Sequence, residues 1–162
     1  MAIIKKLKKE RGALIIEILI VAAIIVIALV SLLNAAAFSL KMSALTKQND
    51  QAQKLAEETL EAVRSFRDGT TWNTNGLGML TLDVSYHPQK TTDNPPKWNL
   101  VSGEETLGIF QRKVVFKSVS RDLNSNIVTT GGLVDTNTKK VIATVSWQDK
   151  TVEISTLLTN WK

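Results

Sequence analysis

Hydrophobic and polar positions are spread unevenly along this chain, and the unevenness predicts its elements. Residues 1–12 carry the basic run KKLKKERG. From Ala13 to Leu40 almost every position is apolar, and Glu17 is the one charge. Past Leu40 the apolar residues thin to Leu45, Ala52, Leu55, Ala56, Leu60, Val63 and Phe66. Their spacing follows one face of an α-helix, so an amphipathic helix over 41–68 continues the apolar one. Gly69, directly after Asp68, is a suitable stop.

Residues 69–162 read differently. GTTWNTNGLGM over 69–79 is rich in Gly, Asn and Thr and predicts a loop. Leu80–Tyr86 alternates strictly and predicts a strand. His87–Lys97 holds all 3 prolines and predicts a second loop. Ile109–Val119, Val141–Trp147 and Val152–Leu158 are further strands, the last two joined through Gln148-Asp149-Lys150 as a hairpin. Leu133–Lys139 reads as a turn. The predicted class is α+β: a long N-terminal helix packed by one face on an antiparallel sheet of about four strands.

Charge changes the picture only at the start of the chain. The first twelve residues set five basic groups against Glu10, so of the 20 basic and 15 acidic residues fifteen and fourteen remain from residue 13 on. A net charge of +5 therefore belongs mostly to the leader. It gives the rest of the chain no basic footprint for nucleic acid. With 162 residues, there is room for one modest domain besides the apolar helix. Cysteine is absent and His87 is the single histidine, which excludes disulfides, thiol nucleophiles and multi-histidine metal sites. No cofactor is expected.

The basic run followed by a long apolar run is an address as well as an element. A secretory signal has an apolar core of about 7–15 residues. Here the run passes Leu33, and about 20 residues of helix cross ~30 Å of hydrocarbon. A membrane-spanning helix is the better reading, with the basic side cytoplasmic and the C-terminal domain outside. Glu17 costs roughly 2.5–3.5 kcal/mol at mid-bilayer and less near the edge. Read blandly, it is a tolerated edge charge in the first turn of the helix. Read functionally, it awaits a cation.

Gly12-Ala13-Leu14-Ile15-Ile16-Glu17, preceded by lysines and followed by an apolar helix, resembles the processing signal of type IV prepilins and pseudopilins. The resemblance is most specific over residues 5–40. It implies cleavage by a prepilin peptidase between Gly12 and Ala13, and N-methylation of the new Ala13 terminus. It also implies that Glu17, fifth in the mature chain, neutralises a neighbouring subunit's amino terminus during assembly. The implied organisation is a leader over 1–12, a transmembrane and assembly helix over 13–40, an amphipathic helix over 41–68 and a β-rich extracytoplasmic domain over 69–162. The helix-then-meander order is similar to the pilin fold. Implied partners are the peptidase, other pilin or pseudopilin subunits, an inner-membrane assembly platform and, before assembly, lipid. The implied location is the cytoplasmic membrane and then a cell-surface or periplasmic filament. The sequence departs from the family's usual pattern at Ala13, where phenylalanine is common. It departs again at Asn34, where major pilins often carry a proline that kinks the helix. The second departure favours a minor pilin or pseudopilin.

Other constellations carry less. Asp122, Asn124 and Asn126 alternate as calcium ligands do, but Ile127 and Leu133 fall where such a loop needs glycine and glutamate. An Asx-rich turn is the expected reading. His87 is expected in a solvated loop. Trp72, Trp98, Trp147 and Trp161 could serve as stacking platforms, but Trp147 alternates in phase with Val141, Ala143 and Val145 as a packed residue, which leaves Trp72 and Trp98, in loops, as the open candidates. No phosphate loop, nucleophile elbow or carboxylate pair is present, so no enzymatic activity is expected. The alternative to a filament subunit is a singly anchored receptor or adhesin that does not polymerise.

Overall fold

The computed structural model describes residues 14–161. Helix α1 is assigned over Ala2–Gly69. The chain divides into two units, Met1–Lys47 and Gln48–Lys162. Among the described residues, the first unit holds only the N-terminal part of α1.

In the second unit, α1 presents Ala52, Ala56, Leu60, Val63 and Phe66 to the sheet, all buried. Thr59 is buried among them, and its hydroxyl is satisfied by donating to the Leu55 carbonyl at 2.7 Å. Buried hydroxyls need such a partner, and a backbone carbonyl one turn back is the nearest. The helix ends at Gly69, where the Thr70 hydroxyl donates to Phe66 O at 2.7 Å and covers one of the last open carbonyls. A 3₁₀ turn, Leu77–Met79, follows and drops Leu77 into the core.

Seven antiparallel strands form one sheet: β1 (Ser85–Lys90), β2 (Trp98–Ser102), β3 (Glu105–Leu107), β4 (Phe110–Arg121), β5 (Ile127–Val128), β6 (Leu133–Trp147) and β7 (Lys150–Thr159). Their order is β2-β1-β4-β6-β7, with β3 and β5 both pairing with β4. The fold is α+β, a long N-terminal helix on an antiparallel sheet. Val114, Phe116, Val141, Ala143 and Leu158 face α1 and close around Leu60, Val63 and Phe66. Phe110, Val145 and Trp147 close around Ala52 and Ala56. The small side chains of the two alanines leave room there for the tilted Phe110–Trp147 pair, 5.6 Å between ring centres.

Several expected elements shift. Leu80–Val84 is not strand; β1 begins at Ser85. The backbone before it is committed elsewhere: Leu80 O accepts from Lys139 Nζ at 2.8 Å, Thr81 N donates to Tyr86 Oη at 3.1 Å, and Asp83 takes a positive φ of 59°. His87–Lys90 is strand, not loop. Pro88 fits because it faces Leu100 in the register. The neighbouring contacts Gly103 N→Ser85 O and Thr91 N→Lys97 O fix the alternation, so Pro88 sits where β2 asks for no N–H. Leu133–Lys139 is the start of β6, not a turn. The turn lies just before it, at Gly131 and Gly132 with φ of 73° and 78°. The register shift between Ser118 and Val119 absorbs the extra residues of β6. The β6–β7 connection is a two-residue turn at Gln148-Asp149, closed by the pair Trp147↔Lys150. Seven strands replace the expected four because β2, β3 and β5 are short.

Candidate functional site

From Leu14 to Leu40, α1 is apolar all round. Its large aliphatic and aromatic residues there are between 51% and 73% exposed, with none packed against another part of the chain. Leaving one Leu or Ile in water forgoes about 1.5–3 kcal/mol, so this surface is built for another environment. At 1.5 Å per residue the stretch is about 40 Å long, enough to cross ~30 Å of hydrocarbon. It is a candidate membrane span, the one such helix among the described residues. Its polar groups are few. Ser31 Oγ donates to Ile27 O at 2.8 Å, the bond a hydroxyl makes when no water is at hand. Glu17 is exposed on the first described turns. The processing pair, Gly12 and Ala13, lies outside the described residues.

The remaining candidates separate by geometry. Asp122 holds a closed Asx turn: Oδ1 accepts from Asn124 N at 2.9 Å and Asn126 N at 2.8 Å, and Oδ2 accepts from Asn126 Nδ2 at 3.1 Å. The Asn126 side chain and backbone hold this carboxyl below its ordinary 3.8. With its oxygens turned onto its own loop, the carboxylate has little left for a cation. No group of three or more His, Asp or Glu is placed to hold a metal among the described residues. His87 is on β1 and half-buried, with Nδ1 3.3 Å from Gly103 O. Trp72 is buried and donates Nε1–H to Thr136 O at 3.1 Å, so it is core and no stacking platform. Trp147 is core, as its phase predicts. Trp98 is half-buried with Lys90 Nζ 5.0 Å from its ring centre, while Trp161 stands 63% exposed.

Three charged residues that sequence reasoning passed over organise the domain. Arg112 is 4% exposed on the helix-facing side of β4. Its Nε donates to Glu105 Oε2 at 3.0 Å, its Nη2 pairs with the same oxygen, and Nη1 lies 3.6 Å from Glu58 on α1. Lys139 is buried with no carboxylate partner among the described residues, its Nζ donating to Leu80 O at 2.8 Å, and burial lowers its pKa from 10.5. Arg121 pairs with Asp135 at 2.7 Å and holds that carboxyl below 3.8, helped by Thr138. The signal for Arg112 was its phase: it alternates with Val114 and Phe116, so it had to point inward.

Neither the protein-family models, the curated proteins nor the solved structures contain a match to this chain.

Proposed function

We propose that this chain is a type IV pilin-like subunit, most akin to a minor pilin or pseudopilin, that polymerises through the N-terminal part of α1. The observation that carries the reading is the helix surface from Leu14 to Leu40, exposed and apolar on every side with one carboxylate, Glu17. A bilayer covers such a helix before assembly, and a bundle of like helices covers it afterwards. In the bundle Glu17 meets the amino terminus that cleavage after Gly12 creates at Ala13. Neither charge is then buried alone, and removing one partner of such a pair costs several kcal/mol. The globular unit stays outside the membrane and supplies the filament's outer surface.

The test is Glu17→Val, read as the ratio of subunit in sheared filaments to subunit in membranes at matched expression. The variant is inserted and cleaved normally, and its filament fraction falls sharply. Glu17→Asp, one methylene shorter, falls between. A filament fraction equal to wild type in Glu17→Val refutes the pairing and leaves a singly anchored receptor or adhesin.

A further inference from the structure

The ends of the strand order, β2 and β7, are treated differently. On β2, the alternation fixed by Gly103 N→Ser85 O and Thr91 N→Lys97 O turns the Leu100 N–H away from β1. That outward donor is occupied by the Asn99 side chain, whose Oδ1 accepts it at 2.9 Å. On β7 no side chain takes an outward backbone donor among the described residues. The pair Trp147↔Lys150 closes a two-residue turn and Asn160 N donates to Asn137 O at 2.7 Å. The register between them is unbroken. The alternation therefore gives Lys150, Val152, Ile154, Thr156 and Leu158 to β6. The N–H and C=O groups of Thr151, Glu153, Ser155, Leu157 and Thr159 point outward along the free edge. β7 has no proline and no bulge, and Glu153 is the one charge between Thr151 and Thr159. Natural edge strands usually carry such guards, and one without them is a pairing surface.

We propose that β7 pairs antiparallel with β7 of a second copy about a two-fold axis at Ser155. Only some registers match the outward groups of both strands, and charge selects among these. Centring on Ser155 places Glu153 opposite Leu157 of the second copy. Leu157 in turn faces Lys140 across β6. Lys140 and Glu153 are both exposed, and neither makes an ion pair within its own chain among the described residues. The dimer brings Lys140 of each copy into one cross-strand row with Glu153 of the other, on the face away from α1. Two strand spacings separate their Cα atoms, about 10 Å, which two long side chains span. Shifting the axis by one residue, to Ile154, sets Thr151 opposite Leu157 and loses both pairs.

The contact joins two copies of this chain through their sheets. It uses the globular unit alone and is independent of polymerisation through Glu17.

The chain has no cysteine, so one introduced thiol reports cleanly. In the full-length protein in detergent, Ser155→Cys sets the two Cα atoms about 5.5 Å apart, within disulfide reach. Thr151→Cys sets its two thiols about 27 Å apart along the pair. Under a copper–phenanthroline oxidant, Ser155→Cys dimerises at least tenfold faster than Thr151→Cys. Adding Glu153→Lys to Ser155→Cys slows it at least tenfold, and adding Lys140→Glu as well restores it. Equal rates for the two cysteine variants overturn the pairing. So does a Ser155→Cys rate that Glu153→Lys leaves unchanged. Either result leaves the Glu17 experiment untouched, and loss of filament incorporation in Glu17→Val leaves this one untouched.

Discussion

Arg112 and Glu105 form an ion pair whose halves sit at different depths, so the cost of breaking it depends on which half is removed. The Arg112 side chain is 5% exposed and that of Glu105 is 30% exposed. Glu105→Gln leaves a buried guanidinium whose nearest remaining carboxylate, Glu58, is 3.6 Å away and half exposed. Breaking a fully buried pair costs about 3–5 kcal/mol. Partial hydration of Glu105 brings this to about 2–3 kcal/mol. Arg112→Met removes the buried charge, keeps most of its volume, and eliminates an Nη1 that has no hydrogen-bond partner. Glu105 then turns to water, and the cost is below about 1 kcal/mol. The assay is urea unfolding of residues 41–162 followed by tryptophan fluorescence, since Trp72 and Trp147 are buried. With a slope of about 2 kcal/mol/M, Glu105→Gln lowers the midpoint by about 1 M and Arg112→Met by less than half of that. Equal shifts, or a larger one for Arg112→Met, refute the reasoning.

The fragment 41–162 itself is expected to be soluble and folded with mixed helix and sheet signals in circular dichroism, because the core residues all lie within it; a soluble fragment without sheet signal contradicts the fold. Phe116→Ala, at a side chain with 0% exposure under Tyr86 and Val63, costs about 3–5 kcal/mol in the same urea assay. Asp122 and Asp135 are both held below 3.8, so their stabilisation is complete above that pH and is lost as pH falls through the lower folded values. The urea midpoint is therefore insensitive to these groups between pH 7 and 5 and drops below pH 4, and Asp135→Asn shows a shallower drop. Gly12→Val leaves the precursor uncut when co-expressed with a prepilin peptidase, and equal processing by intact mass contradicts the cleavage assignment.

Elements with a strong period were legible in the sequence. The stripe from Ala52 to Phe66 and the phase of Val141, Ala143, Val145 and Trp147 were read correctly because burial on one face writes itself into spacing. What escaped was written in contacts. Leu80–Val84 alternates like a strand, yet Lys139, 59 residues on, takes the Leu80 carbonyl. Pro88 looked like a breaker, yet its position in the ladder needs no N–H from it. Leu133–Lys139 was read as a turn, yet the two glycines before it had already made one. Trp72 sits in a polar loop and gave no sign of the core it enters. In the candidate site, Glu17 was legible as the one charge in an apolar run. The inward phase of Arg112 was legible, but its partners Glu105 and Glu58 and the backbone carbonyls that hold Lys139 were not, since contacts across elements leave no periodic trace.

Two surfaces of this chain await a cover, and they select partners by different physics. The apolar helix from Leu14 to Leu40 offers area without direction; its contacts weaken little if a partner slides by a turn. Strand β7 offers little area, but its outward N–H and C=O groups tolerate only shifts that keep their alternation. In each case the association energy comes from a feature that leaves several arrangements nearly equal. The charge beside it contributes less to strength than to choosing one of them. Under the proposed assembly, Glu17 fixes an axial position that Ile, Leu and Val leave open. On β7, Glu153 and Lys140 choose one register among those the backbone allows. Neutralising such a charge should therefore first broaden the set of contacts and only then weaken them. At β7 this means that Glu153→Gln spreads disulfide formation from position 155 to neighbouring cysteine positions before dimers disappear. Loss of all dimers without that spread would show that the pair holds the interface together instead of selecting its register.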